Sequence, residues 1–266
     1  MNRKIYSCLL SVFTLCQFAN AQFTDCSTGL MLCPSADMQK DGTFMITNNW
    51  LNKNCLPPGK PSGLGWGYDT FSYGFSITFL SRVEIEYIGT IFDGKKVPSK
   101  EADDYWKIMF NQDRHFSVKF LVLKEGKLRS WVPSLAIGIC DPVTGAGTGD
   151  YIGSDVSYGN GYFNRFYVVA TKHFSTSFGE LGVHAGYQYS LRNDYKINAP
   201  CVGVNWKPVW LENRYFFPNF ILEFDSRTCN FGFVSSIWDD RFEVMFLLQN
   251  MQWISAGLRF KVCLSK

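Results

Sequence analysis

Two adjoining stretches, Phe71-Ser72-Tyr73-Gly74-Phe75-Ser76-Ile77-Thr78-Phe79 and Arg82-Val83-Glu84-Ile85-Glu86-Tyr87, decide how this chain folds. In the first, every odd-numbered residue is aromatic or aliphatic and every even-numbered one is small or polar. In the second, Val83, Ile85 and Tyr87 take one side and Arg82, Glu84 and Glu86 the other, and the series runs on to Ile91. A period of two puts the two sets on opposite faces of an extended strand. The same pattern sets Phe116, Val118, Phe120 and Val122 against His115, Ser117 and Lys119. It also sets Leu181, Val183, Ala185, Tyr187 and Tyr189 against Gly182, His184, Gly186 and Gln188.

Extended outward from these, the reading predicts about a dozen strands, at 43–50, 70–80, 82–92, 114–123, 133–140, 162–173, 178–190, 200–208, 218–226, 229–237, 241–249 and 253–262. Many approach the roughly 9 to 11 residues of a tilted membrane strand. Turn chemistry separates them at Asp93-Gly94, Lys124-Glu125-Gly126-Lys127, Asn193-Asp194 and Asp239-Asp240. Residues 52–67, with Pro57-Pro58-Gly59, and the glycine-rich 141–161 read as long loops. Residues 95–112 are charged, with a short helix possible near Lys100 to Trp106. In a barrel such connections belong on the external side or inside the lumen as a plug. No internal repeat and no inter-domain linker interrupts the chain.

A soluble sandwich would alternate too, so composition arbitrates. Aromatics make up 17% of the chain, and many fall at predicted strand ends: Trp50, Phe92, Trp106, Trp131, Trp206, Trp210, Tyr215, Trp238 and Trp253. Aromatic girdles at the two interfaces of a membrane barrel would put them there. The polar faces are rich in Gly, Ser and charge, as a wet lumen requires. Together these predict an all-β antiparallel transmembrane barrel of about 12 strands. The uninterrupted apolar runs, such as Phe166 to Ala170 and Val244 to Leu248, are too short for a spanning helix.

The first residues have the layout of a secretory signal: Arg3 and Lys4, an apolar stretch from Ile5 to Phe18, then Ala19-Asn20-Ala21 ahead of Gln22. The apolar stretch is shorter than the roughly 20 residues of a membrane anchor. Phe13-Thr14-Leu15 before Cys16 does not supply the small residues of a lipidation site. Cleavage after Ala21 is expected, so that 1–21 is the signal and 22–266 a single barrel domain. Without Arg3 and Lys4, 24 of the 26 basic residues remain against 23 acidic ones, which makes no case for a nucleic acid partner. The cysteines that remain, Cys26, Cys33, Cys55, Cys140, Cys201, Cys229 and Cys263, are odd in number and irregularly spaced. A bridge such as Cys26 to Cys33 and a set of unpaired small apolar residues both stay open. None forms the paired spacing of a zinc site.

Several segments carry a family likeness. Near the mature start stands Thr28-Gly29-Leu30-Met31-Leu32-Cys33-Pro34-Ser35-Ala36-Asp37-Met38, followed by Asp41-Gly42-Thr43-Phe44. The middle reads Asn111-Gln112-Asp113-Arg114-His115-Phe116-Ser117-Val118-Lys119, then Pro133-Ser134-Leu135-Ala136-Ile137-Gly138-Ile139-Cys140-Asp141-Pro142 and Tyr167-Val168-Val169-Ala170-Thr171-Lys172. Glu223-Phe224-Asp225-Ser226 comes later. In order and spacing these segments resemble the YjbH family of outer-membrane proteins linked to exopolysaccharide or capsule production and secretion. The resemblance implies a β-barrel in the outer membrane of a Gram-negative cell, in contact with lipid, exopolysaccharide and other export proteins. Longer family members have chain enough for two barrels, whereas this one has enough for one.

The candidate chemistry is sparse. His115 and Ser117 share a strand face, as in a barrel phospholipase, but that reaction needs its nucleophile on the lipid side. Here the lipid side belongs to Phe116, Val118 and Phe120. Glu84 and Glu86 lie about 7 Å apart along a strand, within the roughly 6.5 to 9.5 Å of an inverting glycosidase pair, yet neighbouring Arg82 suggests lumen ion pairing. The glycines around Thr148 open no helix and so form no phosphate cradle. His115, His173 and His184 lack metal-ligand spacing. No catalytic residue, cofactor or metal is therefore expected. The lumen contacts predicted for a polymer are Arg114, Lys119, Asp141, Lys172, Glu223 and Asp225, each in a family-like segment, with internal salt bridges as the competing role. The sequence thus reads as a non-catalytic outer-membrane barrel that assists exopolysaccharide secretion. A general porin-like or structural barrel is the alternative, and a barrel enzyme acting on lipid or glycan the third.

Overall fold

The computed structural model describes residues 25–57, 68–91, 112–142, 162–192, 197–212 and 215–264. Twelve strands run through these residues: β1 Thr43–Leu51, β2 Thr70–Phe79, β3 Val83–Ile91, β4 Gln112–Leu123, β5 Ser134–Cys140, β6 Arg165–Thr176, β7 Gly179–Tyr189, β8 Asn198–Pro208, β9 Phe216–Phe224, β10 Cys229–Ile237, β11 Phe242–Gln249 and β12 Trp253–Cys263. Each pairs antiparallel with its neighbours in sequence. The first pairs with the last, from Thr43↔Cys263 to Trp50↔Ala256, so the sheet closes into a barrel and leaves no free edge. The expected signal at 1–21, the turns at Asp93-Gly94 and Asn193-Asp194, the helix near 100–106 and the glycines around Thr148 lie outside the described residues.

Alternation sorts side chains as the sequence predicts. In β2, Phe71, Tyr73, Phe75, Ile77 and Phe79 point outward, while Thr70, Ser72, Ser76 and Thr78 are buried inside. On the outside the rings form ladders across neighbouring strands. Phe44, Phe75, Tyr87 and Phe116 join β1 to β4 with centroids 6.0, 5.5 and 5.2 Å apart. Trp206, Phe220 and Phe233 do the same across β8 to β10, at 6.1 and 5.3 Å. Trp238, Phe242 and Phe260 follow across β10 to β12, at 5.6 and 5.0 Å. Trp131, Trp210, Tyr215 and Trp238 are exposed at one rim, as a girdle requires. Trp253 departs from that expectation, because it has the inward parity of Ser255 and Arg259 on β12.

The barrel's two ends differ. Turns 80–82, 124–133, 177–178 and 238–241, together with residues 42, 209–212, 215 and 264, lie at one end. The other end carries the described residues 52–57, 68–69, 141–142, 162–164, 190–192 and 197 and the tight turns 225–228 and 250–252. Among the described residues no helix is long and apolar enough to cross a membrane.

The interior corrects one expectation. Instead of a wet lumen, the barrel encloses its own N-terminal segment, and residues 25–36 are all buried. The plug in the described structure is therefore this segment and not one of the long connections. It folds back at Gly29↔Pro34, where the Leu30 amide donates to the Cys33 carbonyl at 3.0 Å. All three apolar clusters among the described residues draw on it. Leu30, Met31, Leu32 and Cys33 pack with Ile221, Val234, Met245 and Leu247; Ala36 packs with Leu121, Ala136 and Val169; and Cys26 packs with Met45 and Ile88. Each fully buried Leu or Met contributes about 1.5 to 3 kcal/mol, so the segment stabilises the barrel as well as filling it.

Candidate functional site: the plugged lumen and its mouth

Where the plug crosses the wall, inward-facing polar residues hold its backbone. Glu223 on β9 accepts the amides of Met31, Leu32 and Cys33 at 3.1, 2.8 and 3.1 Å. Across the lumen, Glu84 on β3 accepts the Thr28 amide with both oxygens at 3.1 Å and the Thr28 hydroxyl at 2.9 Å. Lys119 on β4 donates to the carbonyls of Thr28, at 2.6 Å, and Asp37, and lies 3.8 Å from Glu84. On β6, Thr171 accepts the Ala36 amide at 2.8 Å and Arg165 donates to the Leu32 carbonyl at 2.9 Å. Buried backbone groups need partners, and here the wall supplies what a regular element would otherwise give.

Two wall glycines complete the fit. A Cβ at Gly203 would stand 2.2 Å from Leu30 Cδ1, and one at Gly232 would stand 2.1 Å from Met31 Cγ. Two of the plug's large apolar side chains therefore sit where β8 and β10 have none. These glycines escape sequence reasoning, since a glycine on a polar face reads the same whether it faces water or a plug.

Around the plug the wall is cross-linked to itself. Thr171 Oγ1 contacts His184 Nδ1 at 2.9 Å, and His184 Nε2 contacts Asn205 Oδ1 at 2.8 Å. Asn205 Nδ2 then donates to Asn219 at 2.9 Å, spanning β6 to β9. Opposite, Glu243 accepts from Arg259 at 2.6 Å and from Lys261 at 2.7 Å. Lys261 also pairs with Asp240 at 2.6 Å. The chain's seven described cysteines are all free, so the Cys26 to Cys33 bridge does not form. Those two residues belong to different apolar clusters, which is the role of unpaired small apolar side chains.

The predicted contacts divide three ways. Lys119, Asp141 and Glu223 are buried inside, but Lys119 and Glu223 bind the plug. Asp225 lies in the β9–β10 turn, where its Oδ1 accepts the amides of Arg227 at 3.0 Å and Thr228 at 2.7 Å. Arg114 and Lys172 contradict the prediction. Arg114 shares the outward parity of Phe116 and Val118 on β4 and is exposed. Lys172 lies between the outward-facing Ala170 and Phe174 on β6. It reaches back to Glu125 at 2.7 Å and to the Ser130 carbonyl at 2.6 Å. Both were chosen for the family-like segments they stand in, whereas parity along the strand sets the face. Of the residues weighed for catalysis, His115, Ser117, Glu84 and Glu86 all face inward and are buried.

At the end that carries the 225–228 turn the plug helps to line a depression open to solvent. Asp25 and Leu32 of the plug meet Tyr162, Arg165, Arg192 and Asp225 there. Arg165 pairs with Asp25 and donates to Gln188 at 3.1 Å. Arg192 stands 5.4 Å from the centre of the Tyr162 ring and donates to that residue's carbonyl at 3.1 Å. Guanidinium groups beside an aromatic ring and amides suit a hydroxyl-rich or anionic ligand. Of these residues sequence reasoning named only Asp225, since the lining comes from separate connections, strand ends and the plug.

No protein-family model and no curated protein matches the chain. Among solved structures, three mutant forms of the Rhodopseudomonas blastica porin align over 84% of this chain and 75% of theirs. They share 9 to 10% identity with it at TM-scores of 0.29 to 0.30, and the fold described above rests on this chain's own strand pairing.

Proposed function

We propose that this chain is a lipid-embedded barrel of a Gram-negative outer membrane, closed by its own N-terminal segment, and that it works by holding or admitting a ligand at its mouth without chemistry of its own. One observation carries this reading: a filled interior whose wall is largely polar stands inside an apolar exterior. Among the described strand residues that face outward, the charged ones are Arg114 and Lys172, and Lys172 is drawn to a connecting loop. Ile46, Phe75, Phe120, Val168, Val202, Leu222, Phe246 and Leu258 are exposed around the circumference. An apolar surface of that extent is rare on a soluble monomer and ordinary in lipid. Twelve strands and a plug favour a closed or gated barrel over an open porin.

Fractionation of expressing cells tests the membrane reading. The chain is expected in the outer-membrane pellet, migrating on a gel as a compact species that shifts on heating, whereas recovery from the soluble periplasm would overturn it. In planar bilayers the protein is expected to conduct far less than an open porin. The mouth supports a second and narrower reading. Exposed Arg227 and half-buried Asp225 at the edge of the depression, with Arg192 and Tyr162 buried behind them, suit a surface polysaccharide, the ligand that the YjbH resemblance implies. Deletion of the gene should then reduce polymer at the cell surface. Unchanged polymer with the barrel present in the parent strain would leave the structural or gated barrel alone.

A further inference from the structure

Near the mouth, beside the plug, three ligand-type side chains converge, and two of them, Asp113 and His115, lack a hydrogen-bond partner among the described residues. Asp113 and His115 are consecutive inward residues of β4. Asp141 is the first residue after β5, held at φ 47°, with its amide bonded to the Phe116 carbonyl at 2.9 Å. They are 0, 2 and 1% exposed, and one ligand atom from each lies within 4.8 Å of the others. Neither oxygen of Asp113 and neither nitrogen of His115 has a hydrogen-bond partner among the described residues. His115 Nδ1 stands 3.6 Å from Asp113 Oδ2, and His115 Nε2 stands 3.7 Å from Asp25 Oδ1, both beyond hydrogen-bond range. Native interiors rarely leave such groups unsatisfied, and a buried carboxylate without a counter-charge is costly.

The charges nearby sharpen the point. Lys119 is engaged by Glu84 and by the plug carbonyls, and Arg165 by Asp25. Both oxygens of buried Glu86, two strand positions from Glu84, also lack a hydrogen bond among the described residues. The imidazole of His115 is the basic group that faces Asp113 and Asp25 here. We propose that Asp113, His115 and Asp141 bind one divalent transition-metal ion, Zn²⁺ by the nature of the donors. Two carboxylates and an imidazole match zinc ligation at roughly 2.0 to 2.2 Å. The imidazole argues against Mg²⁺ and Ca²⁺, which take oxygen ligands. Donors around such an ion stand roughly 3.3 Å apart, so the three must draw in by about an ångström.

The surroundings already orient two of the ligands. The Phe163 amide donates to Asp141 Oδ2 at 3.3 Å, and the Phe163 ring lies over the His115 ring with centroids 5.0 Å apart. Outer contacts of this kind fix ligand geometry in metal sites. Three protein donors leave a fourth position for water or another ligand. Bound metal would clamp the start and end of connection 141–164 to β4 and neutralise the acid beside Asp25 of the plug.

The test is a titration of the folded protein in detergent micelles, stripped of metal by a chelator. Zn²⁺ competes with a chromophoric chelator, and Ca²⁺ and Mg²⁺ serve as controls. One equivalent of Zn²⁺ should bind, and Co²⁺ in its place should give visible absorption bands of a nitrogen- and oxygen-ligated ion. Asp141→Asn keeps a residue that tolerates positive φ and should weaken Zn²⁺ at least tenfold, as should Asp113→Asn. The heat shift on a gel reports whether each variant is folded. Failure of the folded parent protein to bind an equivalent of Zn²⁺ overturns the proposal. So does thiolate charge-transfer absorption with Co²⁺, which would place the ion on cysteine, or undiminished binding in a folded variant.

Discussion

Glu223 shows how much a single wall residue carries. Its two oxygens take three successive plug amides and the Asn230 side chain, the last at 3.3 Å. Glu223→Gln replaces one accepting oxygen with a donor that faces those amides, at a cost of about 1 to 3 kcal/mol. The expected result is a loosened plug in an intact barrel, read as faster maleimide labelling of Cys33 by peptide mass spectrometry while the heat shift is kept. Unchanged labelling would mean that the apolar contacts of Leu30 and Met31 hold the segment alone. Gly232→Val tests those contacts, because the new side chain meets Met31 Cγ. Higher conductance in bilayers is expected, and conductance equal to the parent's would show that Met31 repacks freely. That Glu223 faces inward was legible in the sequence, but its partner was not. An inward carboxylate looks alike whether it awaits a polymer or grips a segment 190 residues away.

At the scale of elements, the alternation of apolar and polar residues located all twelve strands, and β10 matched at both ends. The turns were less legible. Leu80 and Ser81 join β2 to β3 with φ of 54° and 50°, and the Arg82 amide bonds to the Phe79 carbonyl at 2.9 Å. Such a two-residue turn favours Asn-Gly, and a leucine there is strained by about 1 to 2 kcal/mol. Replacing the pair by Asn-Gly should raise stability by about 1 kcal/mol, measured as a later urea midpoint, and an earlier midpoint would contradict the strain. In connection 124–133, partial burial raises the Glu125 carboxyl, but hydrogen bonds from Lys172 and His173 outweigh it and hold the group below its ordinary value. His173 in turn faces Asp37 of the plug at 3.4 Å. A depressed carboxylate stabilises above its unfolded pKa of about 4.3 and loses that contribution as pH falls through the lower folded value. Hydrogen exchange across 124–133 should therefore gain an extra acceleration below about pH 4, beyond the intrinsic pH effect. Glu125→Gln should lack that added step, and a step that persists in it would point to His173 and Asp37.

For the whole molecule, what the sequence left hidden follows from distance along the chain. Strand period, face and order are local signals, whereas the plug, the mouth and the Asp113, His115 and Asp141 cluster are made by segments that meet only after closure. The N-terminal stretch Thr28 to Met38 carries no strand period, and only contact with the finished wall shows why its apolar residues stand together. Closure also sets an order of events in assembly. The plug precedes β1, and the wall around it is completed only when β12 pairs with β1, the largest separation in sequence that the sheet contains. A folding chain must therefore lay a segment that precedes its first strand inside a cylinder whose seam is sewn by its last strand. Contacts so remote in sequence form slowly, so the slow step in making this protein is the enclosure of a guest already attached to its host, and a late-arriving plug would find the door shut.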